Sequence, residues 1–272
     1  YLYVADVTNN RVQKFNAATG AFIGWIGAIG TTGGTCTAGA GLFTGGWCSG
    51  GTAAIGSGGG MFSGARNVFV PPGTDILYVN DRDNHRTQKF VASTGAFVGW
   101  IGRLNSVAGA SCAAAGTGNF SGGWCTGGTA QSGAAGDGSL NSPRGLTVDS
   151  TNTYLYVAET GNLRISRFNA TTGAFAGWIG RLNSVAGASC AAVGTGNFTG
   201  GWCTGGTANT GGAGGDGLLG GNTRGLSADD IGGYLYVGDF NNSRVSRYNL
   251  ASGSFAGWIG RINGSPTGGD AG

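Results

Sequence analysis

The sequence predicts an all-β chain assembled from repeated antiparallel modules of four short strands, and three observations carry that reading. Four stretches align: YLYVADVTNNRVQKFNAATGAFIGWIG from Tyr1, ILYVNDRDNHRTQKFVASTGAFVGWIG from Ile76, YLYVAETGNLRISRFNATTGAFAGWIG from Tyr154 and YLYVGDFNNSRVSRYNLASGSFAGWIG from Tyr234. Their markers Trp25, Trp100, Trp178 and Trp258 fall 75, 78 and 80 residues apart. Apolar and polar side chains alternate, as in Arg164, Ile165, Ser166, Arg167 and Phe168, with the period of two of a half-buried strand; no segment sustains a helical period.

Within each module the first strand is the short apolar segment NVFV, GLTV or GLSA, contained in ARNVFVPP from Ala65, PRGLTVDS from Pro143 and TRGLSADD from Thr223. The second strand is LYV, the third is RVQKF or its equivalents, and the fourth is the AFxGWIG stretch. Third and fourth strands are joined through Thr-Gly or Ser-Gly at Gly20, Gly95, Gly173 and Gly253, where glycine supplies the positive φ of a tight reversal. One array over 1–272 follows, with cores at about 1–27, 65–102, 143–180 and 223–260. Glycine-rich inserts at about 28–64, 103–142 and 181–222 separate them. The stretch NSVAGASCAAAGTGNFSGGWCTGGTA at 105–130 returns at 183–208, changed only at Ala115/Val193 and Ser121/Thr199. An element repeated at fixed spacing points to architecture, since an active site is assembled once.

Composition narrows the class. The 61 glycines have no Gly-X-Y period, which excludes a collagen helix. Hydrophobic residues at 40% and aromatics at 10% suffice for a core, against disorder. A net charge of +3 without a basic run argues against nucleic-acid binding. No apolar run reaches the roughly 18 residues of a membrane helix. With neither an initiator Met nor a signal peptide, the sequence is expected to be a mature form or an excerpt.

Six cysteines fall one pair per insert, as Cys36/Cys48, Cys112/Cys125 and Cys190/Cys203. Pairs 12 or 13 residues apart, with no neighbouring His, lack zinc-site spacing and read as local disulfides, with free buried thiols the alternative. Each closed loop is worth on the order of 3 kcal/mol. Disulfides in turn imply an oxidising, extracellular or cell-surface setting. Each insert is expected to be a stapled flap without regular structure, packed onto its surroundings.

The pattern YVAD-x-x-N-x-R-[IV]-x-x-[FY], preceded by a GDGxLNSPRGLTVD segment, resembles the NHL repeat of secreted and cell-surface β-propellers over roughly half the chain. The resemblance implies that each repeat is a four-stranded blade around a central axis, a propeller-like array. The inserts, and four blades where such propellers commonly have six, depart from the family pattern. A closed ring, an open spiral and an arrangement completed between chains all remain compatible with the sequence.

Candidate site residues are few. The D-x-x-N-x-R sets are Asp6/Asn9/Arg11, Asp81/Asn84/Arg86, Glu159/Asn162/Arg164 and Asp239/Asn242/Arg244, placed where the second strand turns into the third. Their recurrence reads as structural: Asp and Asn close an Asx-type turn and Arg reaches the carboxylate across the hairpin. The competing reading is a ring of carboxylates holding a cation or a sugar. His85, the one histidine, occupies the variable x of N-x-R and has no triad or multi-histidine partners. Some NHL-type propellers are metal-dependent lyases, but their histidine ligands map to no position here. Asp137, Asp216, Asp229 and Asp230 are the remaining carboxylates weighed for an acid/base pair, and the first two are equivalent repeat positions. No glycine run has a P-loop ending. The expectation is therefore no catalytic residue, no metal and no cofactor.

The inserts also place Phe43, Trp47, Phe120, Trp124, Phe198 and Trp202 beside the cysteines. A 13-residue loop builds no core of its own, so these rings pack on the parent blade or an adjacent insert, or meet a neighbouring subunit. Sequons at Asn119, Asn169, Asn197, Asn241 and Asn263 are candidate glycan acceptors. The leading reading is a non-enzymatic extracellular structural protein that assembles with itself into a filament or surface layer. The alternatives are a secreted glycan- or protein-binding module and an NHL-type lyase or hydrolase.

Overall fold

The computed structural model describes residues 1–131, 136–209 and 215–260. The chain divides into two compact units, Tyr1–Gly133 and Ala134–Gly272, and each holds two blades of antiparallel strands.

In the first unit, one blade orders as β1 (Leu2–Asp6), β2 (Arg11–Phe15), β3 (Phe22–Thr31) and β4 (Thr52–Ala54). The other orders as β5 (Ala65–Phe69), β6 (Ile76–Asp81), β7 (Arg86–Val91), β8 (Phe97–Ser106) and β9 (Thr129–Gln131). In the second unit, the third blade is β10 (Pro143–Val148), β11 (Tyr154–Glu159), β12 (Arg164–Asn169) and β13 (Phe175–Gly180), with a separate pair β14 (Leu182–Ser184) and β15 (Thr207–Ala208). The fourth is β16 (Thr223–Asp229), β17 (Tyr234–Asp239), β18 (Arg244–Asn249) and β19 (Phe255–Gly260). The fold is all-β, with propeller-type blades.

The inserts are more regular than a bare flap. β3 and β8 run ten residues each, past the GWIG motif, and their outer edges take up β4 and β9 from the inserts. The physical reason is backbone satisfaction: the insert's N–H and C=O groups pair on a strand edge that would otherwise stay open. A register shift recurs where third and fourth strands meet, at Lys14/Phe15, Lys89/Phe90, Arg167/Phe168 and Arg247/Tyr248. Gly20, Gly95, Gly173 and Gly253 turn these hairpins at φ between 71° and 76°, a region that a β-carbon penalises.

Cores form at the seams between blades. In the first unit Val12 and Ile26 of one blade cluster with Leu77, Val79 and Phe90 of the next. In the second, Ile165 and Ile179 cluster in the same way with Leu235, Val237 and Tyr248. Smaller clusters join Trp25 to Cys36 and Cys48, Trp100 to Cys125, and Trp178 to Cys203. Burying an indole of roughly 200 Å² at about 25 cal/mol per Å² contributes on the order of 5 kcal/mol before entropy. Each repeated tryptophan is thus an anchor for the stapled insert beside it.

A candidate interaction site at the blade seams

Two constructions recur in the blades: a carboxylate knot at the turn between second and third strands, and a seat that holds the insert. In the second blade Asp81 accepts from Asn84 Nδ2 (2.8 Å), Arg86 Nε (2.8 Å) and Gln88 Nε2 (3.0 Å), while the Ser63 N–H donates to its other oxygen (2.7 Å). Arg86 Nη2 then donates to the carbonyls of Gly58 and Met61 (2.7 and 2.9 Å), clamping the glycine turn that leads into the blade. Arg164 clamps Gly136 and Ser139 (2.8 and 2.6 Å), and Arg244 clamps Gly215 and Leu218 (2.8 and 2.7 Å). The residue before each arginine, Asn10, His85, Leu163 or Ser243, sits at φ between 50° and 54°, so the variable position of the motif is a left-handed turn residue. His85 is such a half-buried turn residue.

The amides of the motif asparagines serve the carboxylate, and the Asp6 carboxylate also accepts from the Asn9 main chain, the contact that closes an Asx-type turn. Asn9 donates to both oxygens of Asp6 at 3.0 Å in an exposed setting. Asn162 is buried, donates Nδ2 to Glu159 Oε2 (2.7 Å) and accepts from Asn141 Nδ2 (3.5 Å). Asn242 ends a short 3₁₀ helix, Phe240–Asn242, where a plain turn was expected, and donates to Asp239 Oδ2 (2.7 Å). The physical reason for so many donors is that an ionised carboxylate only accepts hydrogen bonds, so burying it draws in nearby side-chain donors.

The knot matches side-chain lengths. Short Asp6 and Asp81 meet long Gln13 and Gln88, at 3.0 Å each. Long Glu159 meets short Ser166, which donates to Oε1. The fourth blade pairs a short residue with a short residue, Asp239 with Ser246, and no hydrogen bond joins the buried Ser246 hydroxyl to that carboxylate; its polar neighbour is the Tyr248 phenol.

The insert seat is built on the fourth strand. Trp25, Trp100 and Trp178 exchange backbone hydrogen bonds with Cys48, Cys125 and Cys203, and their indole N–H groups donate to the carbonyls of Gly50, Gly127 and Gly205 (3.0, 3.0 and 3.3 Å). The three cysteine pairs are disulfide-bonded, 36–48, 112–125 and 190–203. Gly24 makes the approach feasible, because a β-carbon there would stand 2.9 Å from the Cys48 carbonyl oxygen.

The insert aromatics close the seam within each unit. Trp47 packs on Tyr3 of its parent blade (5.7 Å) and donates to Ala92 O of the next blade (3.0 Å); Phe43 packs on Phe90 and Phe97 there (6.1 and 6.4 Å). In the second unit Trp202 packs on Tyr156 (5.6 Å) and donates to Leu250 O (3.0 Å), and Phe198 meets Tyr248 (5.8 Å). Trp124 packs on Tyr78 (5.7 Å), and Phe120 bridges Arg103 through the backbone. The four rings of the first and third inserts thus face the next blade of their own unit, a contact surface that neither an insert nor a subunit supplies.

Sequence reasoning did not find the cations caged by the insert aromatics. Lys14 Nζ lies 4.2 Å from the Tyr1 ring centroid and 5.3 Å from that of Trp47, and donates to Ala92 O and Ser93 O at 3.0 Å. Lys89 stands over Trp124 (5.1 Å), and the Arg167 guanidinium is sandwiched by Tyr154 and Trp202 (4.5 and 4.4 Å). Burial lowers the pKa of Lys14, with Asp75 pulling the other way, and burial also lowers that of Lys89. Burial pushes the Tyr78 phenol up to about 12. The available signal was the Lys or Arg that directly precedes the last aromatic residue of each third strand, as in Lys14-Phe15 and Arg167-Phe168.

The remaining candidates are placed as follows. Asp137 accepts the Gly205 N–H with both oxygens (2.9 and 2.8 Å), Asp229 accepts from Gly232 N (2.9 Å), Asp230 accepts from Ser150 N (2.7 Å), and Asp216 is exposed in its turn. No group of three or more His, Cys, Asp or Glu fit for a metal occurs among the described residues. Asn119 and Asn197 are exposed, each donating to the carbonyl four residues back (2.7 Å), whereas the sequon residues Ser121 and Thr199 are buried. Asn169 accepts two turn N–H groups, Asn241 is exposed, and Asn263 lies outside the described residues. A cavity of about 410 Å³ in the second unit is lined by Asp149, Thr151, Tyr154, Tyr156, Arg167 and Asp230, among others.

No protein-family model matches this sequence, and no curated protein matches it. Among solved structures the chain is similar to the hydrazine synthase of Kuenenia stuttgartiensis, at 10% identity and a TM-score of 0.42, over 72% of this chain and 36% of that one. It is also similar to the WD40 repeats of RRP9 (13% identity, TM-score 0.37, 71% of this chain and 38% of that one). U3-55K matches at 14% identity and a TM-score of 0.37, over 72% and 39%. The matches thus span less than two fifths of each of those proteins. Three disulfides are compatible with an extracellular protein, and no helix among the described residues is long and apolar enough to cross a membrane.

Proposed function

We propose that the chain is a non-enzymatic extracellular structural protein of NHL-like blades that assembles with itself into a filament or surface layer through blade and insert contacts. The observation that carries this reading is the recurrence of one built unit, a disulfide-stapled insert seated on a tryptophan strand, at nearly constant intervals. Identical surfaces at regular spacing favour heterologous, repeating contacts. The carboxylates and arginines of the repeated motif are consumed in holding turns, which supports a mechanical role for them. N-linked glycans on Asn119 and Asn197 belong to the same reading, since both side chains are exposed at equivalent insert positions. Light scattering after size exclusion, with negative-stain images of the same fractions, tests it: oligomers or fibres are expected, and a dispersed monomer at every concentration sinks it.

A second reading, a glycan-binding module, is favoured by the cavity that combines Tyr154, Tyr156, Arg167 and two carboxylates. Saturable binding on a glycan array that Tyr154→Ala abolishes supports that reading over the first.

A further inference from the structure

We infer that the cavity between the third and fourth blades takes an amino sugar, whose protonated amine is held on Asp230 beside Asp149. The site rests on the glycan-binding reading and names the class of sugar it takes.

The corresponding seam of the first unit spends its polar groups internally. There Asp75 accepts from Ser93 N (2.6 Å) and Ser93 Oγ, and Lys14 donates to Ala92 O and Ser93 O. The Tyr3 hydroxyl donates to Ala92 O (3.3 Å). The repeat alignment puts Gly233 and Ala251 where Asp75 and Ser93 stand, and Arg167 and Tyr156 where Lys14 and Tyr3 stand. The second seam therefore lacks the acid and the hydroxyl that occupy the first. Ala251 lines the space of about 410 Å³ found there, a size that admits a sugar.

The lining has an unbalanced charge. Asp149 and Asp230 face a single guanidinium, that of Arg167. Asp149 is buried and accepts from Thr151 Oγ1, Thr153 N and Tyr154 N (2.8, 2.8 and 2.9 Å). Asp230 accepts the Ser150 N–H through Oδ2 (2.7 Å), which ties it to the loop that carries Asp149. Its Oδ1 takes no hydrogen bond among the described residues, and no ion pair there reaches either carboxylate. Arg167 is occupied elsewhere: Tyr154 and Trp202 sandwich it, and Nη2 donates to Ala176 O (3.1 Å). One negative charge is left over, and a primary ammonium answers it with charge-assisted hydrogen bonds.

A second group asks for a polyol. Tyr156 is 1% exposed, and Arg167 donates to its phenolic oxygen. Its own O–H meets no acceptor among the described residues, unlike that of Tyr3. Burial pushes the phenol well above its ordinary range and Asp149 adds to this, so the hydroxyl keeps its proton and donates it to a sugar oxygen. Tyr154 supplies an aromatic wall beside it.

Calorimetric titration with three tetramers tests the site: glucosamine, the same tetramer N-acetylated, and glucose in the same linkage. N-acetylation removes the charge of the amine. The glucosamine tetramer is expected to bind saturably, and the two uncharged ones about tenfold more weakly. Asp230→Asn keeps the side chain's shape and is expected to weaken the glucosamine tetramer about tenfold, with the uncharged tetramers unaffected. Asp83→Asn removes an equal charge from an exposed carboxylate of the first unit, outside this lining, and is expected to change nothing. Equal affinity for all three tetramers, or glucosamine binding that Asp230→Asn leaves intact or that both variants weaken equally, overturns this site and leaves glycan binding standing. A lysine tetrapeptide that binds as tightly as the glucosamine tetramer overturns the sugar and reassigns the cavity to a protein amine. Binding by none of the tetramers overturns the inference and the glycan reading together.

Discussion

The first and second blades carry the same ion pair in nearly the same geometry, Arg11 to Asp6 at 2.9 Å and Arg86 to Asp81 at 2.8 Å. Their surroundings differ. Arg86 and Asp81 are at 0% exposure, while Arg11 and Asp6 keep 25% and 17%. What separates them is the glycine turn ahead of β5, whose carbonyls receive Arg86 Nη2 and whose Ser63 N–H meets Asp81. The same motif is therefore a sealed strut in one blade and a surface brace in the other, and its sequence alone does not say which. Arg86→Ala leaves a carboxylate buried without its cation and is expected to cost about 3–5 kcal/mol. Arg11→Ala, with water at hand, is expected to cost less than about 1 kcal/mol. Urea unfolding of the two variants breaks the comparison if their midpoints shift equally.

Legibility in the sequence follows the same division. The knot itself can be read, because Asn84 and Arg86 stand three and five residues from Asp81 and the spacing is local. The clamp on Gly58 and Met61 cannot, because backbone carbonyls 28 and 25 residues upstream carry no side-chain signature. Nor does the motif announce that Asn162 is buried beside Asn141, a neighbour 21 residues away in the chain. Blade strands were readable from alternation, but β4 and β9 were hidden in glycine-rich insert where no alternation exists. The aromatic residues of the inserts stood out; their destination did not, since Trp47 is caught by Ala92 O and Thr94 O, main-chain atoms of the next blade. Gly24 was visible only as a letter before tryptophan, and its purpose appears once Cys48 lies against it.

The next largest effect sharpens the contrast between insert and blade. Replacing Cys112 and Cys125 together by serine removes a loop closure worth about 3 kcal/mol. Because the insert is also held by the backbone exchange between Trp100 and Cys125, the blade is expected to stay folded while the insert loosens. Hydrogen exchange reads this directly: protection should fall at Cys125 and Gly118 and hold at Val79. Equal loss in both segments would show that the insert is part of the blade's cooperative unit.

A smaller, opposite effect is expected in the fourth blade, where the knot is mismatched. Asp239→Glu copies the Glu159–Ser166 pairing of the third blade and offers the Ser246 hydroxyl a carboxylate acceptor. A buried hydroxyl that gains a hydrogen bond stabilises by about 1 kcal/mol. A higher unfolding midpoint supports length matching as the rule of the knot; an unchanged or lower one rejects it.

The smallest effect concerns pH and returns to the first blade. Burial pushes the Asp6 carboxyl up, but the hydrogen bonds from Asn9 and Arg11 outweigh it and hold its pKa below the usual 3.8. A carboxylate with a depressed folded pKa contributes stability that is present above its unfolded value and disappears as pH falls through the folded one. Asp6→Asn should therefore cost stability at neutral pH, by less than about 1 kcal/mol given the exposure of the pair, and the cost should vanish in strong acid. Urea midpoints of wild type and variant, followed from about pH 6 down to about pH 2, are expected to converge below the ordinary carboxylate range. Curves that stay parallel through that range would mean that the Asn9 and Arg11 bonds in the exposed blade hold the turn without favouring the charged carboxylate, and the contrast with the sealed second blade would then rest on burial alone.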